Sequence, residues 1–252
     1  MCSNNNPLLY EGKAKRVFRT ESEEEVLIEY KDDATAFNAQ KKSNFVGKGI
    51  INCNISSNVF KFLNHSNIPT HFIDSPKQGF MISKMVKIIP IEVVVRNIAY
   101  GSLCKQTPIL NGSEISPPLI DLYYKDDGLG DPLLTKERLK LLKLLTDDEL
   151  SLVEELSLRI NILLKSFLRE IDLILVDFKL EFGKLNDGTI VLADEVSPDT
   201  CRIWNSKETD PQNRILDKDR FRKDLGGLIE AYSEIDKRIH NFLEKKLKSS
   251  NS

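Results

Sequence analysis

Leu173-Ile174-Leu175-Val176-Asp177-Phe178-Lys179-Leu180-Glu181-Phe182-Gly183 changes its pattern partway along. The opening residues are all apolar, as in a strand buried on both faces, whereas from Asp177 polar and apolar residues alternate. Side chains of a strand point to its two faces in turn, so Asp177, Lys179 and Glu181 share one face. Beyond it, Asp187-Gly188 is a two-residue hairpin signal. Counting back from that turn pairs Phe182 with Ala193 and sets Glu181 opposite Asp194. Like charges facing each other across strands are destabilising unless a cation separates them, and hard carboxylate oxygens favour Mg²⁺ over softer metals. The hairpin therefore reads as half a metal site with Glu181 and Asp194 as ligands. The alternative is a solvated strand face on which Lys179 screens both acids.

A second departure from ordinary patterning is Glu11-Gly12-Lys13-Ala14-Lys15-Arg16-Val17, a glycine turn followed by two lysines at period two around a small alanine. Backbone N–H groups in such a turn, with ammonium groups on one face, suit a triphosphate, although a solvated basic turn has the same composition. No Walker A sequence is present. Arg96, Ser102 and Arg202 are candidate anion ligands. The histidines, His65, His71 and His240, form no catalytic arrangement and read as ordinary surface or half-buried residues, and no nucleophile triad is visible.

Around these motifs the first third is β-rich, with strands expected at Val17-Phe18, Val26 to Tyr30, Thr70 to Ile73 and Gly79 to Ile82. One helix, from about Lys48 to Asn64, carries Ile51, Ile55, Val59 and Leu63 at every fourth position. Ile91 to Val95 reads as a strand ending in Arg96-Asn97. Asn111 to Lys125, with Pro117-Pro118, reads as an irregular loop over a site. Thr146-Asp147-Asp148-Glu149 is a capping box opening a long helix to about Glu170, with an apolar stripe of Leu150, Val153, Leu156, Ile160, Leu163, Leu164 and Phe167. A last helix is expected from Leu225 to about Leu247. The expected fold class is α+β, two packed lobes with a cleft between, residues 1–88 and 89–252.

The chain has 252 residues, 40% of them hydrophobic, enough for a sizeable core and against wholesale disorder. Its 36 Lys plus Arg nearly cancel 38 Asp plus Glu, so no net field favours nucleic acid or an anionic membrane. Cys2, Cys53, Cys104 and Cys201 are scattered without a C-x-x-C pair, which speaks against a zinc site or disulfide framework and for a reduced, cytoplasmic setting. No apolar run of membrane-spanning or signal-peptide length is present.

The chain resembles the phosphoribosylaminoimidazole-succinocarboxamide synthase (SAICAR synthetase) family nearly end to end. The resemblance rests on Leu9 to Lys15, Asp32-Asp33-Ala34-Thr35-Ala36-Phe37-Asn38, Val94 to Asn97, Gly101-Ser102-Leu103 and Tyr124-Lys125-Asp126-Asp127. It continues through Leu175 to Gly183, Asp194-Glu195-Val196-Ser197-Pro198-Asp199, Arg202, Trp204 and Asp217 to Arg222. It implies an ATP-dependent ligase of purine biosynthesis that joins L-aspartate to the carboxylate of an aminoimidazole ribonucleotide through an acyl phosphate, with Mg²⁺. The implied fold is similar to the ATP-binding lobes of protein kinases and ATP-grasp enzymes. Carried onto this sequence, Gly12, Lys13, Ala14 and Lys15 would cover the phosphates and Lys84, Met85 and Val86 would face adenine. Glu181 and Asp194 would hold magnesium. Arg96, Ser102 and Arg202 would take the ribonucleotide, the last two chiefly its phosphate, and Asp199 a ribose hydroxyl. Lys125 and Lys179 would neutralise charge at the reacting carboxylate. The expected partners are these small molecules and a second copy in a homodimer, without nucleic acid or membrane.

Three departures stand out against the family pattern: Ala39 where glycine is usual, Tyr100 where a small residue is common, and Lys105-Gln106-Thr107-Pro108 in place of Lys-Arg-x-Gly. Two other function classes compete. A kinase-like phosphotransferase would carry an H-R-D-x-x-x-x-N loop, which is absent. A non-catalytic nucleotide-binding module would need neither the paired carboxylates nor the anion-binding set.

Overall fold

The structure, a computed structural model, describes residues 6–36 and 40–250. Cys2, Phe37, Asn38 and Ala39 lie outside the described residues. Strands β1 (Leu8–Glu11), β2 (Lys15–Arg19) and β3 (Glu25–Tyr30) follow one another, and a small hairpin, β4 (Asp33–Ala36) and β5 (Lys41–Asn44), leads into α1 (Lys48–His65). Next come β6 (Phe72–Lys77), β7 (Phe80–Lys84), β8 (Lys87–Ile88), β9 (Ile91–Ile98), α2 (Ser102–Gln106), β10 (Glu114–Tyr124) and β11 (Leu133–Leu134). After α3 (Lys136–Leu141) and α4 (Asp147–Arg169), the chain forms β12 (Leu173–Lys184), β13 (Ile190–Ala193), β14 (Cys201–Asn205), α5 (Asp219–Arg222) and α6 (Leu228–Ser250).

These strands form a five-stranded sheet, β1-β2-β3-β7-β6, and a seven-stranded sheet in which β11-β10-β9-β12-β13 run side by side while β14 and β8 also pair with β12. The long strand β12 changes partners along its length. Asp177 pairs with Arg96 of β9 and Arg202 of β14, whereas Gly183 pairs with Val191 of β13 and Ile88 of β8. Its apolar first half is covered by α4, whose capping box is formed: Thr146 Oγ1 accepts from Glu149 N at 3.2 Å, and Thr146 N donates to Glu149 Oε2 at 3.0 Å. Leu150, Val153, Leu156, Ile160, Leu164 and Phe167 are buried, so the stripe expected from period 3.6 is the packed face. One apolar core, from Val26 through Phe60 and Phe178 to Ile239, is shared by both sheets. A smaller cluster of Tyr100, Val176, Trp204 and Ile215 lies apart from it.

Three expectations are corrected. Most of Asn111 to Lys125 is the strand β10. Pro117 and Pro118 fall between Glu114 and Leu119, where the register with β9 shifts, so the missing N–H groups interrupt no regular ladder. The last helix starts at Leu228, because Gly226 and Gly227 have φ of +67° and +60°, outside the right-handed helical region. The hairpin register is also one residue off, since Glu181 pairs with Ala193 and Phe182 with Leu192. Leu185 N bonds Thr189 O at 2.9 Å, and Gly188 has φ +87°; the connection is thus a three-residue loop with a left-handed glycine.

Candidate active site

The polar face of β12 runs along a cleft with two neighbouring cavities, of about 400 and 520 Å³, whose walls share Lys179, Asp199, Thr200 and Lys218. Period-two alternation distributes the charges: Glu181 lines the first cavity, Asp177 the second, and Lys179 both.

The smaller cavity brings together Gly12, Lys13, Ala14, Lys15, Lys84, Met85, Val86, Lys125, Lys179, Glu181 and Asp194. Gly12 N bonds Lys15 O at 2.8 Å, which closes the turn between β1 and β2, and Val17, Val26, Ile28 and Met85 supply an apolar wall. Val86 packs so closely on β12 that a Cβ built on Gly183 would lie 2.8 Å from its side chain; glycine is required there.

Glu181, 2% exposed, accepts from Lys125 through Oε2 and from Lys179 through Oε1, the latter at 2.5 Å. Lys179 Nζ also lies 3.0 Å from Glu92 and 3.7 Å from Asp194. Asp194 has left β13 with φ +60°, so its side chain turns to Lys15 and Lys179 even though Ala193 occupies the position opposite Glu181. The acids therefore converge through a shared lysine. Burial opposes the charge of Lys15, but Asp194 and Glu195, the latter at 3.0 Å, outweigh it and hold the ammonium pKa above its ordinary value. Lys179 is likewise raised, burial being outweighed by Glu181, Asp194 and Glu92. Burial also works against the Asp194 carboxylate, yet Lys15, Lys179 and Lys125 drive its pKa well below the usual range. These groups remain charged near neutrality and act as fixed electrostatics, not as proton shuttles.

Glu181 and Asp194 thus present two hard carboxylate donors around one lysine, a donor type that suits Mg²⁺. Among the described residues no group of three or more His, Cys, Asp or Glu is arranged to hold a metal.

The larger cavity gathers Arg96, Ser102, Asp199 and Arg202. Asp177 lies between two guanidinium groups because its cross-strand neighbours are Arg96 and Arg202. Arg202 Nη1 donates to Asp177 Oδ1 and Oδ2 at 3.0 and 2.8 Å, and its Nε to Asp219 at 3.3 Å. Arg96 donates to Asp121 at 2.7 Å, to Asp177 at 3.4 Å, to Tyr123 at 3.0 Å and to Ser102 Oγ at 3.2 Å. Both oxygens of Asp199 are engaged, by Lys48 Nζ and by Tyr232 OH, each at 2.7 Å.

No site role followed from the sequence for Asp177, Lys48 or Lys218, although the shared face of β12 already pointed to Asp177. Lys48 is 1% exposed, an ion pair reached only when α1, α6 and the segment after β13 come together. His71 is a correction: expected as an ordinary surface or half-buried residue, it is 3% exposed and lines the smaller cavity. Burial and then the nearby Lys15 push its pKa down to about 3, so the imidazole is neutral.

Comparison with known proteins gives one consistent result. The family model for SAICAR synthetase matches residues 8–239. A curated phosphoribosylaminoimidazole-succinocarboxamide synthase from Prochlorococcus marinus (strain MIT 9303) is 55% identical over 239 residues, covering 95% of this chain and 99% of that protein. The enzyme of the same name from Prochlorococcus marinus subsp. pastoris is 57% identical, over 93% of this chain and 97% of its own. Among solved structures, a SAICAR synthetase (Type-2) in complex with ADP superposes with a TM-score of 0.87 at 47% identity, covering 91% of this chain and 96% of that one. The Ehrlichia chaffeensis enzyme gives 0.89 at 43%, covering 93% and 98%.

Proposed function

The chain belongs to the SAICAR synthetase family, and we propose that it divides its ligation between the two cavities, nucleotide at the Gly12 turn and ribonucleotide at the guanidinium pair. The reaction is ATP-dependent joining of L-aspartate to the carboxylate of the aminoimidazole ribonucleotide in purine biosynthesis, with ADP and phosphate released. The observation that carries the division is the polar face of β12, along which Asp177, Lys179 and Glu181 pass from one cavity to the other.

A carboxylate is a poor electrophile, and phosphorylation by the γ-phosphoryl of ATP gives it a leaving group before the amine attacks. In this reading Gly12, Lys13, Ala14 and Lys15 cradle the triphosphate, and Lys84, Met85 and Val86 border adenine. Lys125 and Lys179 neutralise the charge that gathers when phosphate and carboxylate approach each other. Glu181 and Asp194 would hold Mg²⁺, which when bound supplies charge stabilisation to the transferring phosphoryl group. Arg96, Ser102 and Arg202 receive the ribonucleotide and Asp199 its ribose side, because forked guanidinium donors suit phosphate oxygens.

The five-stranded sheet bearing the Gly12 turn supports an N-terminal nucleotide lobe over 1–88, of the kind seen in kinases and ATP-grasp enzymes, with 89–252 as substrate lobe. Among the described residues no helix is long and apolar enough to cross a membrane. The reading includes a cytoplasmic homodimer.

Two experiments test it. ADP release should require ribonucleotide and aspartate together. With the substrate carboxylate labelled in heavy oxygen, one labelled oxygen should appear in the released phosphate; unlabelled phosphate would exclude the acyl phosphate.

A further inference from the structure

Tyr100, the residue that departs from the small side chain common in the family, is 8% exposed and packs against Arg202, which lines the larger cavity. Its ring meets Trp204 edge to face at 5.2 Å and 79°. Lys223 Nζ lies 4.5 Å from the ring centroid and donates to the hydroxyl, and the Arg202 guanidinium carbon stands 5.6 Å from the same centroid. Arg214 covers Trp204 at 3.7 Å, so cations flank both rings of the pair. Cations within about 6 Å of an aromatic face are attracted to its quadrupole.

The position of Arg202 is set on every side. Nη1 is forked on Asp177, Nε bonds Asp219, and a Cβ built on Gly101 would come 2.8 Å from Nη2. Among the described residues Nη2 has no hydrogen-bond acceptor of its own. A fork held this way keeps one pair of N–H donors for an anion, and its usefulness depends on orientation, since a misdirected guanidinium loses bidentate geometry.

We infer that Tyr100 is a positioning residue for ribonucleotide binding: braced by Trp204 and capped by Lys223 over its face, its ring fixes Arg202 so that Nη2 faces the phosphate cavity. The inference rests on the assignment of Arg202 to the ribonucleotide phosphate.

The test compares Tyr100→Leu, which keeps apolar bulk without a π face, with Tyr100→Phe, which keeps the ring; Tyr100→Met replaces the leucine variant should that fail to fold. Ribonucleotide KM should rise about five-fold or more in Tyr100→Leu, with KM for ATP and aspartate nearly constant, and return to within about two-fold of wild type in Tyr100→Phe. Because the ring acts through Arg202, adding Tyr100→Leu to Arg202→Lys should raise ribonucleotide KM little further. Unchanged ribonucleotide KM in Tyr100→Leu, equal damage from Tyr100→Phe, or full additivity overturns the inference while leaving the phosphate assignment intact. Unchanged ribonucleotide KM in Arg202→Lys overturns that assignment and the inference with it.

Discussion

Replacing Glu181 by glutamine perturbs stability and catalysis in directions fixed by its contacts. Were Glu181 and Asp194 directly opposed and unscreened, removing one charge would leave the apo protein unchanged or more stable by about 0.2–1 kcal/mol. Here the carboxylate instead accepts from Lys125 and Lys179. A buried hydrogen bond to a charged group contributes roughly 1.5–3 kcal/mol. Lys125 is 41% exposed and its pairing falls on the weak surface scale, about 0.5 kcal/mol. Lys179 retains Glu92 at 3.0 Å and Asp194 at 3.7 Å, and glutamine keeps an acceptor oxygen, so no ammonium is stranded. The net expectation is a loss of about 1–2 kcal/mol in the apo protein. Turnover should fall by about 10² or more if metal-borne charge stabilisation depends on this ligand, and Mg-ATP should protect the variant less than wild type. Urea titrations with and without Mg-ATP, together with ADP release per folded molecule, measure all three. An apo midpoint at or above wild type would refute the lysine pairing; full turnover would refute the placement of the metal.

Lys48→Met leaves the buried Asp199 carboxylate with Tyr232 and a lysine at 3.9 Å, and should cost about 3 kcal/mol by urea unfolding; a change below about 1 kcal/mol would mean that Lys218 takes over the pairing. His71 has a folded pKa of about 3, below its unfolded value, so its contribution is fully present above about pH 6.5 and is lost as pH falls towards 3, at about 1.4 kcal/mol per pH unit. In His71→Gln that part of the slope should disappear from unfolding titrations; an unaltered slope would assign it to other groups. Sedimentation at micromolar concentration should give a dimer, and a monomer alone would remove it from the reading.

Local patterns carried much of this protein. The stripe and capping box of α4, the four-residue period of α1 and the alternating half of β12 are readable because helix and strand periods act within a few residues. The same alternation aligned Asp177, Lys179 and Glu181 before any partner strand was known. The charges on Lys15, Arg96, Lys125, Asp194 and Arg202 were visible as residue types in motifs, and all line the cleft.

Long-range geometry decided the rest. A two-residue turn signal was in fact a three-residue loop, and one residue in a period of two changes which side chain faces Glu181; only the left-handed exit at Asp194 restored the convergence. Prolines that mark a loop in isolation were accommodated where β10 slips against β9. The Lys48–Asp199 pair, the buried His71 and the approach of Arg202 to the Tyr100 ring join residues far apart in the chain. Their physical basis is desolvation and charge pairing, which exist only once the separate elements close around them.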